Sequence, residues 1–350
     1  MLATAPGMKD EERAMTQRGW AIDGGSKARR SGWRTPPSEI SWGFMKLLRE
    51  GNKTRRVYGV NPYVEVYRFH DDLYGLYNQS CDGGADVWAW LTIGPNKAML
   101  IDTAFGLGDM RGLVDAITGG MPLIVANTSA GPEHVLGNCR FESVHCHEYD
   151  HEAVKSTCRP GAWDSLFDRN GRNAWLQFDR KDLPSYRGYE LIAVTNGCVF
   201  DLGGDHQVEL IWTAGSTPGH SMYLDRKHRR LFAGDGVSSD AIGCGTGYVP
   251  GRPYAQHANL TAYRNGLGKL VDRIPEFDYL FPGHFMVNLE NNVLVDILST
   301  LDAVIAAPDK YNYKVEEARA DGTRRAIRHK YVKGFGTIAY TEDGIHPPKG

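Results

Sequence analysis

The sequence predicts an α/β layered sandwich, and three patterns carry that expectation. Residues 63–70, 73–79, 87–93 and 98–102 are short apolar and aromatic runs, parted by turn residues such as Asp71-Asp72 and Gly94-Pro95-Asn96. Runs of that length and spacing read as an antiparallel meander. A strand–helix–strand unit follows. Its helix, 109–117, carries Met110, Leu113, Val114 and Ile117 on one face before Gly119-Gly120 stops it. The third pattern recurs along the chain: strand after strand ends in a turn that presents an imidazole or a carboxylate.

That pattern is clearest in Pro122-Leu-Ile-Val-Ala-Asn-Thr-Ser-Ala-Gly-Pro-Glu-His-Val-Leu-Gly-Asn138. Leu123, Ile124 and Val125 read as a buried strand, which breaks into Ser, Gly and Pro before Glu133 and His134. A carboxylate beside an imidazole in such a loop can face a metal ion. The design repeats elsewhere. Asp102 ends the run from Ala98, His220 closes Thr217-Pro-Gly-His220, Asp235 closes Ala233-Gly-Asp235, and His284 closes Pro282-Gly-His284.

In order and form these turns resemble the metallo-β-lactamase superfamily, over residues 64–293. Its members carry a strand ending in Asp-Thr-Gly and a loop Thr-His-x-His-x-Asp-His-x-Gly-Gly-Asn, then Pro-Gly-His, Gly-Asp and Gly-His turns. The resemblance implies an αββα sandwich of that type over 56–310, with an N-terminal arm and helix over 1–55. A C-terminal β-hairpin extension over 311–350 would follow, and 159–189 would be an insertion shaping the substrate pocket.

The metal loop departs from the family's. Thr128, His134, Gly137 and Asn138 match it and Glu133 replaces its Asp, but Ser129 and Gly131 stand where its first two His would be. In the family, those two His and the Pro-Gly-His imidazole make one metal site. The Asp-His pair and the last His make the other, and the Gly-Asp carboxylate bridges them. The resemblance therefore implies one complete site, Glu133, His134, Asp235 and His284, and one ion instead of two.

At 350 residues, with 41% hydrophobic and 23% charged, the chain can bury a sizeable core and is not expected to be disordered. Against 42 Asp and Glu stand 40 Lys and Arg, a formal charge of −2 that gives no electrostatic case for nucleic acid. No apolar run reaches membrane-spanning length, and the first residues hold no secretory apolar core. Cys81, Cys139, Cys146, Cys158, Cys198 and Cys244 form no Cys-x-x-Cys pair, so free thiols in a reducing cytoplasm are expected.

Residues 1–36 are polar, Gly-rich and basic, and read as a loose arm with solvated charges. Ser38 can cap a helix over 38–50, with Ile40, Phe44 and Leu47 on one face and Gly51 at its end. That face is expected to pack on the body, with covering the site or building a homo-oligomer as the alternatives. Past the metal loop, 142–147, 190–194, 198–202, 208–213 and a hairpin over 222–232 read as strands, and 151–157 as helical. Trp163, Phe167, Trp175, Phe178 and Tyr186 either shape a pocket or anchor the insertion on the core. Apolar spacing predicts helices over 260–274 and 289–306, and Asp321-Gly322 predicts a hairpin turn followed by a loop.

Together the candidate residues point to a hydrolase that uses one divalent ion, Zn²⁺ first, with Fe²⁺ or Mn²⁺ as alternatives. Glu133 or Asp235 would orient or deprotonate water, and His220 would donate to the oxyanion or leaving group. Asp102 and Ser129 would support the ligands from behind. By resemblance the substrate is a small ester, thioester, lactone or amide. His145 and His147, on one strand face with His151 nearby, are rival ligands. The competing functions are a metal-free binding protein on the same fold, or a mononuclear lyase, isomerase or dehalogenase.

Overall fold

The computed structural model describes residues 21–22, 26–30, 39–246, 253–318 and 323–348. Strands β1 (Ala21–Ile22) and β2 (Arg29–Arg30) precede helix α1 (Glu39–Gly51). The meander follows as β3 (Arg56–Tyr58), β4 (Asn61–His70), β5 (Leu73–Asn78), β6 (Val87–Ile93) and β7 (Ala98–Ile101). Helix α2 (Met110–Thr118) carries the chain to β8 (Leu123–Ala126), which pairs parallel to β7. Short helices α3 (Pro132–Val135) and α4 (His151–Thr157) flank β9 (Ser143–His147). The insertion holds β10 (Leu176–Gln177), and β11 (Glu190–Val194) completes a nine-stranded sheet ordered β1-β3-β4-β5-β6-β7-β8-β9-β11.

The second half begins with β12 (Val199–Asp201), β13 (Gln207–Trp212), β14 (Ser221–Asp225), β15 (Arg230–Gly234) and β16 (Ala241–Gly243). Helix α5 (Leu260–Val271), β17 (Tyr279–Pro282), β18 (Leu289–Glu290) and helix α6 (Val293–Ala306) come next. The extension supplies β19 (Tyr313–Ala318), β20 (Arg324–Tyr331) and β21 (Thr337–Tyr340). A six-stranded sheet runs β12-β13-β14-β15-β17-β18, and a four-stranded one runs β16-β21-β20-β19.

Period-two alternation explains why the two large sheets stack. In β6, Val87, Ala89 and Leu91 face an outer core with Met110, Leu113 and Val114 of α2, while Trp88 and Trp90 face inward. In β14 and β15, Met222, Leu224, Leu231 and Ala233 face out toward helices α5 and α6, while Tyr223 and Phe232 face in. Strands buried on both faces read as continuous apolar runs, as these do. The order of layers is therefore helix, sheet, sheet, helix. Trp90 ties the sheets together. Its ring lies 4.9 Å from that of Phe281, and its Nε1 donates to the Pro282 carbonyl at 2.9 Å.

Several elements differ from the sequence expectation, each for a local reason. The Ser38 cap and the Asp321-Gly322 turn lie outside the described residues. Leu47 of α1 points to solvent at 70% exposure, whereas Phe44, Met45 and Leu48 pack on the inner core. Buried Glu65 sets that rotation, because the Arg49 guanidinium reaches it with two hydrogen bonds of 3.0 Å. Helix α5 stops before Ile274-Pro275, where the proline bars further helix. Helix α6 starts at Val293 because Leu289 pairs with Leu280 in the sheet. Strand β21 stands where a loop was expected, and buries Ile338 and Tyr340. In the insertion, Trp163 and Leu176 are buried in the outer core, Phe167 and Phe178 pack against it, and Tyr186 stays exposed.

These contacts separate two substitutions. Trp90→Ala should lower the free energy of unfolding by about 3–5 kcal/mol in a urea titration. Leu47→Ala should change it by no more than about 0.5 kcal/mol.

Candidate metal centre

Five strand ends meet at one end of the inner core. Asp102 follows β7, Thr128 and Ser129 follow β8, His220 precedes β14, Asp235 follows β15, and His284 follows β17. Strands β7 and β8 run parallel, as do β15 and β17, so their carboxyl ends gather where open α/β sheets bind ligands. Glu133 and His134 sit in the first turn of α3, started by Pro132, and not in an open loop. Gly234 is required by both backbone and space. Its φ is 49°, and a Cβ there would lie 2.7 Å from Thr128 and 3.0 Å from His220 Nε2.

Asp235 Oδ1 is the meeting point. His134 Nε2 lies 2.9 Å from it and His284 Nε2 3.1 Å. Glu133 Oε1 is 3.8 Å from His134 Nε2, and the four residues offer ligand atoms all within 4.8 Å of one another. The opposite ring nitrogens are already committed. His134 Nδ1 is 2.8 Å from Asp102 Oδ2, and His284 Nδ1 is 2.7 Å from the Asp86 carbonyl. Both partners accept, so each Nδ1 carries a proton and each Nε2 is turned to the centre. Thr128 fixes Asp102 in turn, donating from N and Oγ1 at 2.8 Å each.

The donor set fits a metal ion. A tetrahedral ion with bonds of about 2.0–2.2 Å spaces its ligands about 3.3–3.6 Å apart. The observed separations, 2.9, 3.1 and 3.8 Å, bracket that spacing.

Charge and burial oppose each other at every member. Burial pulls the His134 imidazole down, but Asp235 and Asp102 outweigh it and hold it well above its ordinary value. His284 behaves alike, with burial outweighed by the hydrogen bond and charge of Asp235. Burial works against ionised Asp235, yet His134 and His284 hold its carboxyl well below the usual carboxylate range. Glu133 goes the other way: burial pushes its carboxyl up. The imidazoles of His134 and His284 are buried, while the side chains of Glu133 and Asp235 are 26% and 20% exposed. The carboxylates form the open side.

His220 and Ser129 border this group. The His220 ring is buried, its Nδ1 is 2.8 Å from Thr213 Oγ1, and its Nε2 has no hydrogen-bond partner. Burial pushes it down to about 4. Ser129 Oγ donates to Asp235 Oδ2 at 3.3 Å. The rival imidazoles are committed elsewhere. His145 Nδ1 bonds the Val125 carbonyl at 3.0 Å, and His147 stacks on Trp212 while its Nδ1 accepts from Tyr149 N at 3.2 Å. His151 binds Glu152 and the Leu191 carbonyl.

Sequence reasoning missed three supports. Asp86 acts through its backbone carbonyl, which no side-chain pattern encodes. Asp150 clamps the His220 turn, accepting from Gly219 N at 2.8 Å and Thr217 Oγ1 at 2.5 Å, across a long sequence separation. Asn127, Asn138 and Thr103 form a buried amide–hydroxyl knot around the His134 carbonyl. Only the Asn138 of the family loop gave a signal for it.

Comparisons with known proteins follow this geometry. No family model matches the chain. It is 26% identical over 208 residues to the acyl-coenzyme A thioesterase MBLAC2 of Gallus gallus, an alignment covering 56% of this chain and 71% of that protein. Its solved-structure likenesses are to metallo-β-lactamases. Among solved structures, a metallo-β-lactamase from Pontibacter korlensis is 16% identical with a TM-score of 0.47, covering 68% of this chain and 99% of that one. The DIM-1 metallo-β-lactamase is 15% identical with a TM-score of 0.47, covering 69% and 99%. No helix among the described residues is long and apolar enough to cross a membrane.

Neutral, buried His147 makes a pH prediction. Burial, then the charge of His257, pushes its imidazole down to about 4, below the unfolded value of about 6.5. The unfolded chain then binds the proton first, so His147's contribution to stability falls as pH drops through that window. The total is about 3 kcal/mol. His147→Gln should flatten this part of the slope when urea unfolding is compared at about pH 7 and about pH 5.

Proposed function

We propose that this protein is a hydrolase working with one divalent ion, Zn²⁺ before Fe²⁺ or Mn²⁺, held by Glu133, His134, Asp235 and His284. One observation carries the reading: two imidazoles with committed Nδ1 atoms aim both Nε2 atoms at a single carboxylate oxygen. An ion bound there supplies a water of lowered pKa and polarises a carbonyl. Glu133, pushed up by burial and open on one side, accepts the proton of the attacking water. Asp235 orients that water. The neutral His220 meets the oxyanion or the leaving group through its unpartnered Nε2. Asp102 acts through His134, and Ser129 through Asp235.

The substrate in this reading is a small ester, thioester, lactone or amide. A thioester is the first to test, because the curated relative is an acyl-coenzyme A thioesterase. The six free cysteines support a reducing, cytoplasmic setting.

Metal analysis of His134→Ala/His284→Ala by ICP-MS should show one equivalent fewer than wild type, with activity lost. No difference after incubation with Zn²⁺, Mn²⁺ or Fe²⁺ would sink the metal mechanism and favour a binding protein. With the ion in saturating excess, Glu133→Gln should lower kcat by about 10²–10⁴-fold. Reaction in isotopically labelled water should place one labelled oxygen in the acid product, whereas a lyase or isomerase would place none. Because protons on His134 and His284 compete with the ion, Zn²⁺ affinity should fall as pH is lowered, measured by titration calorimetry.

A further inference from the structure

A second cluster lies at the far end of the same sheet. Strand β14 leaves the metal centre at His220 and ends in Asp225. At about 3.3 Å per residue, that places the two about 16 Å apart. Asp225 is 0% exposed and His206 1%, while the His228 side chain is 28% exposed. His206 Nε2 and His228 Nδ1 converge on one oxygen, Asp225 Oδ2, at 3.1 and 2.9 Å. The remaining oxygen, Oδ1, takes the backbone N–H of His228 at 3.1 Å. From the nine-stranded sheet, Asp72 Oδ2 lies 3.4 Å from His228 Nδ1.

The charges here do not close among the side chains. Arg230 holds Asp72 with two hydrogen bonds of 2.8 Å, which matches one guanidinium to one carboxylate. The buried charge of Asp225 is left to a proton on an imidazole or to a cation. Among the described residues, two groups of ligand atoms converge this closely, the metal centre and this one.

We propose that His206, His228 and Asp225 form a second divalent-metal site, a structural one, whose two imidazoles and one carboxylate suit Zn²⁺. The separations of 2.9 and 3.1 Å need only a small expansion to reach the roughly 3.3–3.6 Å of tetrahedral zinc ligands. Three ligands come from turns of the six-stranded sheet, before β13 and around the β14–β15 hairpin. Asp72, in the β4–β5 turn of the other sheet, lies beside His228. The ion would tie the turns before β13 and between β14 and β15 at the end opposite the proposed catalytic centre, and its binding free energy would add to the folded state.

The test is made on the full chain with the catalytic ligands removed, His134→Ala/His284→Ala, after reconstitution with Zn²⁺ and dialysis. One equivalent should remain by ICP-MS, and the melting temperature should fall when a chelator strips it. Adding His206→Ala, or the milder His228→Gln, should abolish both effects. In the otherwise wild-type enzyme, His228→Gln should lose one equivalent while turnover is kept. A count unchanged by both substitutions would overturn the proposal. So would the absence of any retained zinc in a His134→Ala/His284→Ala protein that is folded by near-UV circular dichroism. The catalytic and structural ions are lost in different variants, so failure of one reading leaves the other standing.

Discussion

Asp235 Oδ1 is the atom on which the candidate site depends. A largely buried carboxylate needs partners, and two imidazoles supply them at 2.9 and 3.1 Å. Everything around the pair serves to hold those rings. Asp102, itself pinned by Thr128, fixes His134; the Asp86 carbonyl fixes His284. The backbone then has to let three strand ends approach closely, which is why Gly234 stands before Asp235. Rigidity comes from the aromatic layer beneath, where Trp88 and Trp90 of one sheet donate to the Phe285 and Pro282 carbonyls flanking His284. The sandwich core and the site are thus one mechanical unit.

The departure from the family loop has a local consequence. Where two further imidazoles would stand, Ser129 offers a hydroxyl to Asp235 Oδ2 and Gly131 offers only backbone. A hydroxyl satisfies the second carboxylate oxygen without bringing charge or a strong metal ligand. His220 is left behind, buried and with an unpartnered nitrogen. A buried polar atom without a partner costs about 1–3 kcal/mol, so a polar group meeting it during binding recovers that energy. In the proposed mechanism that group belongs to the substrate.

Much of this architecture was legible in the sequence because it rests on short-range pattern. Strand alternation, the Gly119 stop of α2 and the turn chemistry at Asp102, His220, Asp235 and His284 are all local signals. What was not legible depends on contacts distant along the chain. The face that α1 buries is chosen by Arg49 meeting Glu65, so Leu47 could not be placed from helical spacing alone. Leu289 reads as helical until Leu280 is beside it. Asp150 and Asp86 support His220 and His284 from elements with no fixed spacing to either turn.

The site also divides its labour by exposure. Imidazoles at His134, His220 and His284 are buried, where low polarity makes their hydrogen bonds strong and their orientation fixed. Glu133 and Asp235 keep part of their side chains in contact with solvent. In the proposed mechanism a reactant meets the two carboxylates, and what it finds differs between them. Asp235 is held ionised by His134 and His284, which suits it to orient and stabilise positive character. Glu133 is pushed up by burial toward the range in which a carboxylate gains and loses a proton. Two adjacent carboxylates moved apart in acidity by their surroundings are how one pocket obtains both a fixed charge and a proton acceptor. Glu133 stands where the resembled loop carries Asp, and in the proposed mechanism its longer arm carries the proton on the more exposed side of the group.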